Sequence, residues 1–442
     1  VKRLGTWLGA RLKGGRFERN LAVLAGGSAA AQAITVLLSP LQTRLYSPAD
    51  YGMFGVFSSL LAVLGVPIAL RYELAIPAPR DERKAATVLV LALTVGLTLS
   101  VVAGMACGLF GPALARAVGS PTLAPYLWLL GPALALTTTY AALNYWAVRH
   151  GAYPIISRTR LSQAVGGATV TIGSGLAGLT PLGLFLGNLV SQGAGIGSLG
   201  RFFLSGDPAV RARPTRADLR ACAREYRDYA RFSAPASLLN SAGLYATPVL
   251  LSATLGPAVA GLYGVGQRAL VVPFNLVGAA VAQIFFSEAS RVYRERPADL
   301  GALFDRTTRR LLVLGLAPAV LAMVAGPLLF GVIFGERWHR AGVYVAVLVP
   351  LAFSQFLVSP VSMVATVCGR QRVQLILDVL RLVTIVAAVL VPHALGLDDL
   401  GVVAVFSGAG TLMYGAYFVA YRAVARSASR AATMAGAARP SP

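Results

Sequence analysis

Pro48-Ala49-Asp50-Tyr51-Gly52-Met53-Phe54-Gly55-Val56 leads into one long apolar stretch. Pro257-Ala258-Val259-Ala260-Gly261-Leu262-Tyr263-Gly264-Val265 leads into another, about 210 residues later. Five of the nine positions are identical, and Met53/Leu262 and Phe54/Tyr263 are conservative pairs. Arg158-Thr159-Arg160-Leu161 and Arg370-Gln371-Arg372-Val373 echo one another at nearly the same separation. That separation is close to half of the 442 residues, so the chain reads as two copies of one unit.

The unit is membrane-spanning. Hydrophobic residues make up 56% of the chain and charged ones only 13%, about half the share a soluble surface needs. This excludes a soluble globular enzyme, a coiled coil and a disordered chain. A bilayer core of about 30 Å takes about 20 apolar residues per helix. Twelve such stretches are present, near 21–43, 54–76, 85–108, 125–147, 161–179, 182–203, 232–254, 258–284, 311–334, 342–364, 373–392 and 400–421. The expected fold is an all-α polytopic membrane protein of about twelve transmembrane helices in two six-helix bundles. Six spans per half is an even number, so the halves share one orientation. A parallel repeat of this kind places a central cavity between the bundles.

The expected organisation is a basic N-terminal segment 1–20, a bundle 21–203, a basic linker 204–231, a second bundle 232–421 and a basic tail 422–442. The 39 Lys and Arg outnumber the 17 Asp and Glu, for a net charge of +22. With the N-terminus inside, about 32 of these cations fall on the cytoplasmic side, and only Arg44, Arg116, Arg337 and Arg340 on the other. The positive-inside rule explains this excess, and nucleic acid is not an expected partner. Both termini are expected in the cytoplasm. No apolar run precedes Leu21, so no cleavable signal peptide is expected and the first span itself starts insertion.

Little in the chain suggests catalysis. Cys107, Cys222 and Cys368 are far apart, as are His150, His339 and His393, so neither a metal nor another cofactor is expected. Lys2, Lys13 and Lys84 are the only lysines, and none is followed by Ser or Thr as a P-loop requires. There is no G-x-S-x-G, no H-E-x-x-H and no Asp-x-Asp pair. Prolines inside spans (Pro40, Pro67, Pro132, Pro235, Pro248, Pro273, Pro318 and Pro350) suggest kinked helices. Gly183-x-x-x-Gly187 and Gly193-x-x-x-Gly197 in span six suggest close helix packing.

Charges at membrane depth carry the functional reading, because an intramembrane arginine is costly and faces a cavity or a partner. Arg268 lies near the middle of span eight. Arg71 sits toward the inner end of span two, with Glu73 two residues on. Asp378 and Arg381, three apart, share a face of span eleven. Gln32, Asn240 and Tyr245 add polar groups in spans one and seven. Spans one, two, seven and eight correspond under the repeat, and a cleft they line would be polar and positive. Candidate substrate-binding residues are therefore Arg71, Arg268, Arg381, Asn240, Tyr245 and Gln32. Glu73 and Asp378 are the acidic candidates for ion coupling.

Leu45-Tyr46-Ser47-Pro48-Ala49-Asp50-Tyr51-Gly52 with Arg71-Tyr72-Glu73-Leu74-Ala75-Ile76 resembles the start of the bacterial polysaccharide flippases of the Wzx type. Leu143-Asn144-Tyr145-Trp146 with Arg149 is similar to another of their features. The resemblance covers essentially the whole chain. It implies a V-shaped pair of six-helix bundles within the multidrug/oligosaccharidyl-lipid/polysaccharide exporter superfamily. It also implies transfer of undecaprenyl-pyrophosphate-linked sugar repeat units to the periplasmic leaflet, with a polysaccharide polymerase and chain-length regulator as possible partners. In related peptidoglycan-precursor flippases an arginine four residues after a span-two proline lines the cavity, and Pro67 and Arg71 match that spacing. Two other functions compete. A drug/cation antiporter needs acidic residues deep in the cavity, where this chain has arginines. A polymerase or ligase needs a large periplasmic loop, and the longest outer loop here is about 16 residues.

Overall fold

The computed structural model describes residues 16–206 and 214–437, and within them all regular structure is helical. Parts of the expected N-terminal segment, linker and tail lie outside the described residues. The chain divides into two compact units, 1–246 and 247–442.

The first unit contains α1 (Arg16–Leu45), α2 (Pro48–Gly65), α3 (Glu82–Ala117), α4 (Leu130–Arg149), α5 (Tyr153–Leu176), α6 (Leu182–Gly193), α7 (Ile196–Leu204) and α8 (Arg216–Glu225). The division falls inside α9 (Ala234–Leu255). The second unit continues with α10 (Pro257–Glu295), α11 (Leu300–Phe334), α12 (His339–Val358), α13 (Met363–Val367), α14 (Gln371–Ala394) and α15 (Asp399–Ala437). Among the described residues, ten helical segments are long and apolar enough to cross a membrane. With α1 and α5, of 30 and 24 residues, they fill the twelve expected places. Large apolar side chains such as Leu109 and Leu412, each 78% exposed, cover the outside, as a lipid-facing surface requires.

The two quoted runs start their helices in the same way. Pro48 begins α2 and Pro257 begins α10, where the missing proline N–H is no loss. Ser47 caps α2. Its hydroxyl accepts from the Asp50 N–H at 3.2 Å, and the Asp50 carboxylate accepts from the Ser47 N–H at 2.8 Å. Burial repeats as well. Gly52 and Gly261, Met53 and Leu262, and Val56 and Val265 are all buried, while Gly55 and Gly264 are half-buried. The match extends to α4 and α12, which are both 20 residues long, start at the same separation and follow a 3-10 turn.

Two spans depart from expectation. Span two does not run to residue 76: α2 ends at Gly65, and residues 66–71 form turns. Leu70 and Arg71 have φ of 50° and 63°, a left-handed backbone incompatible with a continuing helix. Tyr72–Ala75 then forms a 3-10 turn. In the second unit α10 continues unbroken through the corresponding positions, so the break belongs to the first unit alone. Span six is also broken, between α6 and α7, at Gly195 with φ of 95°. Gly183 and Gly187 do pack closely. A Cβ there would collide with Tyr46 and Ser174 in the first case and with Thr171 in the second. Gly197 does not: nothing lies within 4 Å of a Cβ built on it.

Candidate functional site

The broken end of α2 is where the two signature runs of the family resemblance, Arg71–Ile76 and Leu143–Trp146, converge. Tyr72, Ala75 and Ile76 pack in one buried cluster with Ala85–Ala92 positions of α3, with Leu143 and Trp146 of α4, and with Leu199 and Cys222. Inside this apolar setting Arg71 and Glu73 form an ion pair of 3.4 Å. The Glu73 side chain is only 6% exposed, while that of Arg71 is 24% exposed. Tyr145 lies within electrostatic reach of both.

This pair is incompletely satisfied. Arg71 Nε, Glu73 Oε2 and the neighbouring-run Asn144 Oδ1 are all buried with no hydrogen-bond partner. Native proteins seldom leave such atoms unpaired, because each costs about 1–3 kcal/mol. Two consecutive non-glycine residues in the left-handed region add about 1–2 kcal/mol each. Strain and unpaired polar atoms coincide at this turn, which makes it a candidate ligand site.

Arg149 holds the turn from behind. Its guanidinium donates from Nη1 to the carbonyls of Pro77 and Pro79 at 3.1 and 2.6 Å, and from Nη2 to Glu82 Oε1 at 3.0 Å. The planar fork thus ties the end of α4 to the loop after Glu73 and to the start of α3. Tyr72 Oη donates to the Ala223 carbonyl at 3.4 Å, and Lys84 Nζ donates to Glu225 at 2.7 Å, strapping α8 over the same segment.

A family model for polysaccharide biosynthesis proteins matches residues 41–343, a stretch containing both signature runs and the whole Arg71 turn. The chain belongs to this family. No curated protein matches it. Solved structures resemble it in fold. The lipid II flippase MurJ, in an inward closed conformation, superposes with a TM-score of 0.70 at 11% identity, covering 90% of this chain and 86% of that one. An inward-facing multidrug resistance MATE transporter of the MOP superfamily gives 0.65 at 17% identity, covering 92% and 99%. A MOP superfamily transporter from Pyrococcus furiosus, described as having a binding pocket of reverse polarity, gives 0.54 at 16% identity, covering 92% and 95%. At these identities the likeness is one of fold.

The remaining polar candidates of this polysaccharide biosynthesis protein are distributed over both units. In the first, Gln32 is half-buried on α1, and Asn240 and Tyr245 are exposed on α9. In the second, Arg268 is exposed in the first third of α10. Asp378 and Arg381 of α14 pair at 3.8 Å. Asp378 also accepts from Tyr417 Oη at 2.6 Å, and Tyr414 and Tyr417 of α15 stack with ring centroids 5.6 Å apart. Asp378 is therefore hydrogen-bonded where Glu73 keeps a bare oxygen. Asn144, Tyr145 and Arg149 are not among the residues that the charges at membrane depth single out, although Leu143-Asn144-Tyr145-Trp146 with Arg149 carries part of the family resemblance.

Proposed function

We propose that the protein is a flippase for undecaprenyl-pyrophosphate-linked oligosaccharide repeat units in the bacterial inner membrane, with both termini cytoplasmic. The observation that carries this reading is Arg71. It is a cation on a strained turn, about a quarter exposed, paired with a single buried carboxylate and with its Nε left without a hydrogen-bond partner. Guanidinium binds phosphate oxygens bidentately and stays charged, so a diphosphate is the natural ligand for such a group. Family membership and the fold shared with a lipid II flippase support a lipid-linked substrate. Arg268, and Arg381 with its tyrosines, would extend the polar path in the second unit. Gln32, Asn240 and Tyr245 would contact sugar hydroxyls. Alternating access by rocking of the two units would carry the headgroup across while the polyprenyl tail stays in lipid. Glu73 is the better coupling candidate than Asp378, because its buried oxygen lacks the hydrogen bond that Tyr417 gives Asp378. Such a transporter makes and breaks no covalent bond.

The test is export of surface polysaccharide by a strain carrying single variants. Arg268→Ala should abolish export with protein abundance near normal, and Arg268→Lys should restore part of it. Normal export by Arg268→Ala would remove that residue from the path. Normal export by Arg71→Ala would sink the reading itself.

A further inference from the structure

The segment between spans six and seven carries a surface that the transport reading does not use. In α8 the run is Arg216-Ala217-Asp218-Leu219-Arg220-Ala221-Cys222-Ala223-Arg224-Glu225. Four-residue spacing brings Arg216, Arg220 and Arg224 to one side of the helix. All three are exposed, as are Arg227 and Arg231 just beyond. The other side is occupied: Leu219, Ala223 and Tyr226 pack on the core cluster around Tyr72 and Trp146, and Cys222 is part of it.

Both acidic residues of α8 are engaged elsewhere. Asp218 closes the capping box with Thr215, whose N–H donates to it at 2.8 Å, and those bonds hold its carboxyl below the usual range. Glu225 accepts from Lys84. Among the described residues Arg216, Arg220 and Arg224 form no ion pair, and the exposed Asp228 just beyond the helix leaves the group of five arginines with a net positive charge.

We propose that this arginine stripe binds the phosphate headgroups of anionic phospholipids, and that the bound lipid holds the Arg71 turn in its strained form. The membrane is favoured over an acidic protein by what flanks the helix. Span six ends at Leu204 and span seven begins at Tyr229, three residues after Tyr226, so α8 is tethered at the bilayer surface on both sides. Leu204 and Phe232 are 57% and 71% exposed, and apolar and aromatic side chains at that level anchor in lipid. Clustered arginines beside a span attract anionic headgroups within a Debye length. The path to the turn is short: Tyr72 bonds Ala223 of α8, and Arg71 precedes Tyr72.

The experiment compares full-length protein in nanodiscs of phosphatidylcholine alone with discs that also contain phosphatidylglycerol, with no glycolipid present. Phosphatidylglycerol should raise the melting temperature of the wild type and slow hydrogen exchange across residues 66–76. The R216Q/R220Q/R224Q/R227Q variant should lose most of that response while melting normally in phosphatidylcholine. The corresponding four-lysine variant should keep it, because the charge is retained. Should the glutamine variant not fold, high salt on the wild type takes its place, and it should erase the response. A wild type indifferent to phosphatidylglycerol overturns the proposal and leaves an acidic protein as the partner. A glutamine variant or a high-salt sample that still responds overturns it too. Inorganic pyrophosphate reproducing the effect in phosphatidylcholine discs would transfer the stripe to a soluble phosphate ligand. Because no substrate is present, failure here leaves the flippase reading untouched.

Discussion

Arg71 is held in a conformation that an L-residue avoids, next to a carboxylate that water hardly reaches. The two facts are linked. A left-handed Leu70-Arg71 pair turns the chain back, which brings Arg71 and Glu73 together although they are two apart and would diverge on a helix. Removing one partner of such a pair leaves the other charge buried and costs about 3–5 kcal/mol. Arg71→Ala should therefore lower the melting temperature as well as export. Adding Glu73→Gln should recover most of the lost stability, since a neutral amide replaces the stranded carboxylate, yet export should stay lost. Recovery of both would make Arg71 a partner for Glu73 and nothing more. A glycine at Leu70 adopts positive φ without penalty, so Leu70→Gly should be tolerated despite the loss of its side chain from the cluster's edge. A melting temperature that falls as far as in Arg71→Ala would show that the side chain matters more than the strain.

At the scale of elements, glycine spacing in span six separates packing from permissiveness. Gly187 meets Thr171 across the α5–α6 contact with no room for a methyl group, whereas Gly197 faces open space. Overpacking costs about 1–3 kcal/mol, so Gly187→Leu should reduce yield and thermal stability and Gly197→Leu should change neither by much. Equal losses would refute the difference. The sequence pattern alone treats the two glycines alike, because a spacing of four says which residues share a face but not what that face meets. Span two shows the same limit. Hydropathy counts Val66–Ile76 as apolar whether it is helical or not, so the break after Gly65 is invisible to a window that averages 18 or 20 residues. Pro67 and the Arg71–Glu73 charges were legible, and together they hinted that this end of the span is not ordinary helix. By contrast the duplication was fully legible. Pro48 and Pro257 each start a helix, and the paired glycines below them are buried in step. Arg149 tests the loop that follows the break. Its fork reaches three carbonyls, of Pro77, Pro79 and Arg80, and Glu82 at once, which a lysine ammonium on a flexible stem does not reproduce. Arg149→Lys should raise hydrogen exchange in 77–82 while exchange in α15 stays unchanged, and unaltered exchange in 77–82 would mean the loop needs no clamp.

For the whole molecule, the duplicated runs sit in two units that differ at span two and again at span six, where α15 is continuous while α6 and α7 are separate. The break in span two has no counterpart in α10, so the site it creates exists once per chain even though the scaffold exists twice. On the proposed flippase reading, a single-copy cationic turn fits a substrate with one charged anchor and a variable remainder, as a lipid diphosphate with a glycan is. The ligand's charge should then dominate binding. Charge-assisted hydrogen bonds contribute about 1.5–3 kcal/mol each against about 1 for neutral ones. Purified protein in lipid discs should bind undecaprenyl-diphosphate bearing a short glycan more tightly than the monophosphate carrier, and organic cations hardly at all. The preference should survive changes of the sugar, because neutral hydroxyl contacts are individually weak and replaceable. It should weaken as salt rises, but less than the lipid response of α8, since the Arg71 pair is largely withdrawn from solvent and the α8 arginines are exposed. Arg71→Ala should erase the difference between diphosphate and monophosphate while leaving affinity for the polyprenyl chain intact. Tight binding of organic cations with indifference to the diphosphate would instead make the protein a cation exporter built on the same fold, with Glu73 rather than Arg71 as the group that meets the ligand.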